Sequence, residues 1–319
     1  MFKSVVSIAC LFLFSFIVNT ANAFDVGADS QSWPRTFTSV DGTKTEIKAK
    51  PQRILSASVS ITGTLLAMQA PVVASSTAAN GLFFAQWDKV AKERNVEKLW
   101  SAGSVSLEMA YLYAPDLIVV SVNGGDTVYP QVEQFKQIAP TIVLDYGKQS
   151  WESLALQLAQ ATGQEKETDT LLQRFANIVK EGKDALQLPE GQVNIISYFG
   201  AGTVNPVSLT TSPHAVLLQQ LGFTIESADL AWQPKDKPVS DFVWAQYEHL
   251  TQLTAPTTFL LSGTAKEVDV FMADPILANL PSIKNKQVYG LGANSFRIDY
   301  YSAQEIINEM VARFSKHKQ

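Results

Sequence analysis

The chain is poor in the residues that most often carry catalysis or hold a metal directly. It has one cysteine, Cys10, and three histidines, His214, His249 and His317, in 319 residues. Protein-built transition-metal sites draw on clustered Cys and His, so this scarcity argues against direct binding of zinc or manganese. Neither Gly-x-Ser-x-Gly nor His-Glu-x-x-His occurs, which removes two common hydrolase signatures. Gly-x-Gly-x-x-Gly and Gly-Lys-Ser/Thr are also missing, so Gly124-Gly125 is a weak phosphate-loop signal and reads better as a ligand-facing turn. Positive charge is in deficit: 25 Lys+Arg stand against 30 Asp+Glu, for a net charge of −5. That balance argues against nucleic acid or an anionic membrane as partner, and any anionic ligand needs a local cluster of cations.

What is present begins with an export signal. Lys3, the apolar run Val5–Val18 and the small-residue pattern Ala21-Asn22-Ala23 before Phe24 read as a cleaved signal peptide over residues 1–23. The run is shorter than the ~20 residues of a spanning helix. Cys10 lies inside it and reads as filler, with lipid modification as the alternative. Cleavage after Ala23 leaves a chain with no cysteine and hence no disulfide, and loss of Lys3 takes the net charge from −5 to −6.

With 46% hydrophobic residues, the chain has the composition of a globular protein, and its alternation of strand and helix signals is that of an α/β fold. Residues 164–188 read as one long helix: Leu171, Leu172, Phe175, Ile178, Val179, Ala185 and Leu186 recur at helical spacing, between Thr162-Gly163 and Pro189. Its place between two runs of strand and helix signals predicts an N-terminal lobe over 24–163 and a C-terminal lobe over 189–319. An ordinary surface helix in a single domain is the alternative.

In the first half, Trp33–Ile47 suggests a hairpin about Asp41-Gly42. Arg53–Ala57, Thr62–Met68 and Pro71–Ala74 then alternate as strand, helix and strand, the pattern of a parallel sheet. Helix is expected over Gln86–Glu97, and strands over Leu117–Val122 and Thr141–Asp145. Ligands in such sheets sit beyond the carboxyl ends of the strands. This places Ser56, Ser58, Ser60 and the Ser75–Phe84 segment at a mouth, where Phe83 and Phe84 either cover a ligand or pack locally.

The second half restarts at the strand Val193–Tyr198. A Gly- and Thr-rich loop runs to Ser212, followed by a helix over His214–Leu221 and strands over Thr257–Leu261 and Lys286–Leu291. Glu248 precedes Ala255-Pro256 and its strand as Glu108 precedes Ala114-Pro115 and its strand, so one carboxylate per half occupies a similar place; solvated helix faces would explain both equally. Arg297 follows the last strand, where it either binds an anion or pairs with Asp299. Tyr300 and Tyr301 either stack on an aromatic ligand or close the core.

The strings Pro51-Gln52-Arg53-Ile54, Lys89-Val90-Ala91-Lys92-Glu93-Arg94, Pro115-Asp116-Leu117-Ile118, Asn285-Lys286-Gln287-Val288-Tyr289 and Phe296-Arg297-Ile298-Asp299-Tyr300-Tyr301-Ser302-Ala303 give the chain a family resemblance. From about Trp33 to its end it resembles the periplasmic iron-siderophore binding proteins of ABC importers, in particular those for ferric enterobactin. The resemblance implies the class III arrangement: two Rossmann-like lobes joined by a single long helix, a ligand in the cleft and modest closure. It implies that Glu108 and Glu248 dock on a permease dimer in the inner membrane, and that Arg297 contacts a multiply negative iron–catecholate complex. The loop at Ala78–Gly81 is shorter than the resemblance leads one to expect and lacks an arginine, and Ser208 stands where tryptophan is expected. Lys235 and Lys237, near Trp232, are candidates for the missing charge; as exposed lysines they could equally be solubility residues. With Arg297, the ligand candidates are therefore Phe83, Phe84, Tyr198, Trp232, Lys235, Lys237, Tyr300 and Tyr301.

The expectation is a monomeric periplasmic receptor, not an enzyme, that binds a ferric catecholate siderophore and delivers it to the importer. Iron(III) enters only as the chelate, with no cofactor and no protein-held metal. The competing readings keep the receptor with another siderophore, haem, cobalamin or a metal ion as cargo, or make it a secreted hydrolase.

Overall fold

Two sheets, each drawn from its own stretch of sequence, organise the protein. The computed structural model describes residues 32–237 and 239–316; the expected signal segment, with Cys10, and His317 lie outside the described residues. The chain enters through β1 (Arg35–Thr38) and β2 (Lys44–Ile47), paired antiparallel. Asp41 Oδ1 holds their turn by accepting from Thr43 N and Oγ1 at 3.0 and 2.7 Å.

The first sheet follows as alternating strands and helices: β3 (Ile54–Ser56), α1 (Val59–Ala67), β4 (Val72–Thr77), α2 (Ala85–Glu93), β5 (Glu97–Ser101), α3 (Leu107–Leu112), β6 (Leu117–Ser121), α4 (Val132–Phe135) and β7 (Thr141–Leu144). Its order is β5-β4-β3-β6-β7, all parallel. β6 and β7 are buried along their whole length, as a sheet covered on both faces requires. From β3 the chain steps outward to β4 and β5, then returns to β6 on the other side of β3. The loops after β3 and β6 therefore part from each other, and a crevice opens at the carboxyl ends of the strands. The expected helix Gln86–Glu97 ends early, because Asn95 turns the chain at φ 55° into β5. Exposed Glu97 and Lys98 on this edge strand hide it from an apolar pattern search.

α5 (Trp151–Thr162) leads into α6 (Glu165–Ala185). At 21 residues α6 is about 31 Å long. Leu171 and Phe175 are buried, and Leu172, Ile178 and Val179 pack beside the core. A Cβ on buried Gly182 would stand 2.7 Å from Ile307 Cγ2, so glycine permits close approach of α6 to the terminal helix. α6 stops short of the expected Leu188 because Leu186 becomes extended and bridges Ser315, while Gln187 N donates to Phe314 O at 2.7 Å.

The second sheet comprises β8 (Gln192–Ile196), β9 (Val204–Ser208), β10 (Thr224–Ile225), β11 (Phe242–Gln246), β12 (Thr257–Leu260) and β13 (Val288–Gly290), with α7 (Pro213–Gln220), α8 (Ala265–Met272) and α9 (Pro281–Lys284) between them and α10 (Tyr300–Phe314) closing the chain. Its order is β11-β9-β8-β12-β13, with β10 on β8; β12 lies parallel to β8 and β13, while β9 and β11 run antiparallel. The loop expected up to Ser212 thus contains β9, which pairs with a strand far downstream and carries Pro206, a residue that argues against a strand when read locally.

The largest core cluster runs through both sheets, from Ile54, Leu65 and Trp87 through Leu171 and Phe175 to Val193, Phe259 and Ile306. From Trp33 onward the chain forms one compact unit. Among the described residues no helix is long and apolar enough to cross a membrane.

Candidate ligand cavity

A cavity of about 790 Å³ lies where the strand ends of the two sheets meet, within the size range of small-molecule sites. The first sheet supplies the first turn of α1 after β3 (Val59, Ser60), the loops after β4 (Ala78, Ala79) and β6 (Asn123–Asp126), and Tyr146 after β7. The second supplies Ser197 and Phe199 after β8, Phe242 and Trp244 on β11, Leu261 after β12, and Phe296 and Arg297 after β13. Six of the lining residues are aromatic. Phe199, Phe296 and Trp244 remain 64%, 44% and 38% exposed, more apolar ring surface than a core would leave in water.

Arg297 joins the two sides. Its Nε donates to Ser60 Oγ at 3.2 Å, and its Cζ stands 4.2 Å from the Phe296 ring centroid and 5.1 Å from that of Tyr146. A guanidinium held between rings keeps its charge and offers a flat face and several donors to an anion. Burial pushes the Tyr146 hydroxyl up to about 12, so it stays a neutral donor at ordinary pH. Lys237 lies over Trp244, its Nζ 4.7 Å from the ring centroid. Asp126 and Asp241 also line the cavity. Two cations therefore face two carboxylates, and the described lining is charge-balanced where a cluster of positive charge was expected.

Of the candidate ligand residues, the structure brings Phe84, Lys237 and Arg297 to this cavity and places the others elsewhere. Phe83 is buried against Trp87, with ring centroids 5.0 Å apart. Tyr300 belongs to the core stripe of α10, with Ala303, Ile307 and Met310, and packs edge-on against Trp151. Tyr301 turns into a separate groove with Arg94 and Arg174. Tyr198 donates to Asp274 Oδ2 at 2.5 Å and packs on Phe271. Trp232 stacks on His249 with ring centroids 5.4 Å apart, and Lys235 is exposed away from the lining. The aromatics among these share a cause: an aromatic next to a loop satisfies the nearest core before it serves a cleft. Tyr146, Phe199, Trp244 and Phe296 are not among the candidates, although the strand-end rule reaches Tyr146, Phe199 and Phe296 directly.

Asp299 does not pair with Arg297. It caps α10, its Oδ1 accepting from Tyr301 N and Ser302 N at 2.8 and 3.0 Å, while Gln86 Nε2 donates to Oδ2 at 3.2 Å. Burial raises it to about 6, against the pull of those bonds. Ser302 Oγ donates to Arg297 O at 2.6 Å, which ties this cap to the arginine loop. His214 is buried nearby and its Nε2 lies 2.7 Å from Ser295 O; burial lowers it to about 4. Glu108, in the first turn of α3, and Glu248, in the short turn Tyr247–Gln252, are both exposed. Among the described residues no three His, Cys, Asp or Glu side chains gather as a metal-holding group.

Known proteins share this architecture. The periplasmic binding protein family matches residues 54–295. The ferric enterobactin-binding periplasmic protein FepB of Escherichia coli O6:H1 is 38% identical over 292 residues, covering 88% of this chain and 91% of its own. The crystal structure of holo-ViuP superposes with a TM-score of 0.88 at 51% identity, covering 89% of this chain and 96% of that one. The FhuD protein of S. pseudintermedius, at 18% identity, shares the fold with a TM-score of 0.70 over 88% of this chain and 98% of its own. With more than two thirds of its length matched, the chain belongs to the periplasmic binding protein family.

Proposed function

We propose that the protein is a periplasmic receptor for a ferric catecholate siderophore, which it delivers to an ABC importer in the inner membrane. The observation that carries this reading is Arg297, held between Phe296 and Tyr146 in a ring-lined cavity of about 790 Å³. Catecholate oxygens around iron(III) are dense in negative charge and sit on aromatic faces, and this wall meets both. Similarity to a ferric enterobactin-binding protein supports the same cargo class. Iron arrives and leaves as the chelate, and the protein performs no chemistry on it.

In this reading the protein is a monomer, released into the periplasm by cleavage near Ala23. The two sheets act as lobes, over 24–163 and 189–319, that close modestly about the helix at 164–188, and Glu108 and Glu248 meet the permease dimer. The test is titration of the purified protein with ferric enterobactin, a ferric hydroxamate and a simple iron(III) salt. Tryptophan quenching that saturates for ferric enterobactin alone supports the proposal. Saturation by the iron salt, or by the hydroxamate in preference, refutes it.

A further inference from the structure

Asp126 is a carboxylate built into the wall of a cavity whose proposed cargo is an anion. It is only 5% exposed, and its two oxygens are used differently. Oδ2 accepts from Ser58 Oγ at 2.6 Å and from Ser60 N at 2.9 Å, which ties the loop after β6 to the start of α1. Oδ1 is buried and meets no protein donor among the described residues. Both loops flank the point where the strand order reverses, and both line the cavity. Gly124, at φ +92°, lets the Tyr146 hydroxyl and the free oxygen come close to the loop: a Cβ there would stand 2.2 Å from the Tyr146 hydroxyl oxygen and 2.8 Å from Asp126 Oδ1.

A buried acceptor without a donor is costly, and a ligand oxyanion brought against it adds repulsion in a low dielectric. An O–H or N–H group on the ligand removes both penalties. Resting on the ferric-chelate reading above, we infer that Asp126 is a specificity-determining residue, whose free Oδ1 selects chelates that present an O–H or N–H donor to the crevice between the β3 and β6 loops. Chelates that offer only iron-bound oxyanions on that face are disfavoured. The balanced lining then has a division of labour: Arg297 answers the anionic part of the cargo and Asp126 its donor-bearing part.

The test compares two iron(III) chelates with the same core, the tris complex of catechol and that of dopamine, the second carrying pendant ammonium donors. Each is titrated against the wild-type protein and Asp126→Asn, which keeps the shape of the side chain and turns a donor toward the cavity. The readout is the ratio of the two dissociation constants on one preparation, so loss of folded protein cancels. The wild type is expected to favour the dopamine chelate, and Asp126→Asn to cut that preference by roughly tenfold to a hundredfold. Asp126→Glu, which keeps the charge but displaces the oxygen, is expected to lose the preference too. The preference should survive 1 M salt, where the screening length is ~3 Å. A ratio unchanged in Asp126→Asn, or one that disappears with salt as general charge attraction would, overturns the inference and leaves the receptor reading intact. Failure of ferric enterobactin as well as both chelates to quench the wild type overturns both.

Discussion

Arg297 Nε donates to Ser60 Oγ at 3.2 Å across 237 positions of sequence, and this bond is where the two ends of the fold meet at the cavity. Ser60 sits in the first turn of α1, after β3, and Arg297 in the loop that leads into α10. The arginine is thus held in place before any ligand arrives, which limits the side-chain entropy lost on binding.

Arg297→Ala should therefore weaken a ferric catecholate by about tenfold to a hundredfold, the worth of a hydrogen bond to a charged group. Its effect on the thermal midpoint should be small, because α10 keeps its cap on Asp299. Fluorescence titration and a melting curve on the same sample check both statements. Arg297→Lys should recover part of the affinity, since it restores the charge without the planar fork.

Stability should respond to pH through two buried groups of opposite sign. Asp299 is raised from 3.8 to about 6, so the native state binds the extra proton; its contribution is full below about 4 and is lost as pH rises through 6. His214 is lowered from 6.5 to about 4, so the unfolded state binds the extra proton; its contribution is full above about 6.5 and is lost as pH falls through 4. The two slopes oppose each other between pH 4 and 6. Asp299→Asn should make acidification in that window more destabilising than in the wild type, and His214→Gln should make it less so. Urea midpoints measured across the window for all three proteins decide the matter; parallel curves would deny both groups this role.

Charge balance in the cavity changes what salt should do. A net cationic cleft in a protein of net charge −5 would lose much of its capture rate as salt rises, whereas Arg297 and Lys237 here face Asp126 and Asp241. The association rate for an anionic ferric chelate should therefore depend only weakly on ionic strength. Stopped-flow quenching over a salt series provides the check, and a steep decline would mean that cations outside this lining steer the ligand.

The parts of the fold legible in the sequence were those whose signal is local. Leu117–Ser121 and Thr141–Leu144 are continuous apolar runs, and α6 shows its stripe at helical spacing. β9 and β11 were not legible, because Pro206 and the neighbouring glycines hide β9 and its partner lies far downstream. For the site, the sequence reading reached Ser60, the Gly124-Gly125 turn and Arg297. The strand-end rule also reaches Phe199, the residue after the expected strand Val193–Tyr198, but not Trp244, whose position depends on that non-local antiparallel pairing. Of the two roles open to Tyr300, the structure takes the core: the loop before α10 carries Arg297 to the cavity, while Tyr300 starts the helix on its buried stripe.

Hand-over to a permease predicts surfaces that matter for transport and not for binding. Glu108 lies beside Tyr111 and Leu112, which are 74% and 76% exposed, and Glu248 occupies an exposed turn in the other half. Exposed ion pairs are worth only ~0–1 kcal/mol each, so a single reversal should slow uptake modestly and the double reversal Glu108→Arg with Glu248→Arg should abolish it by turning attraction into repulsion at both ends. The chelate's dissociation constant should be unchanged in all three variants, because neither glutamate lines the cavity. Uptake of iron-55 chelate by cells expressing each variant, beside titration of the purified protein, separates the two effects; normal uptake by the double variant would remove both glutamates from docking.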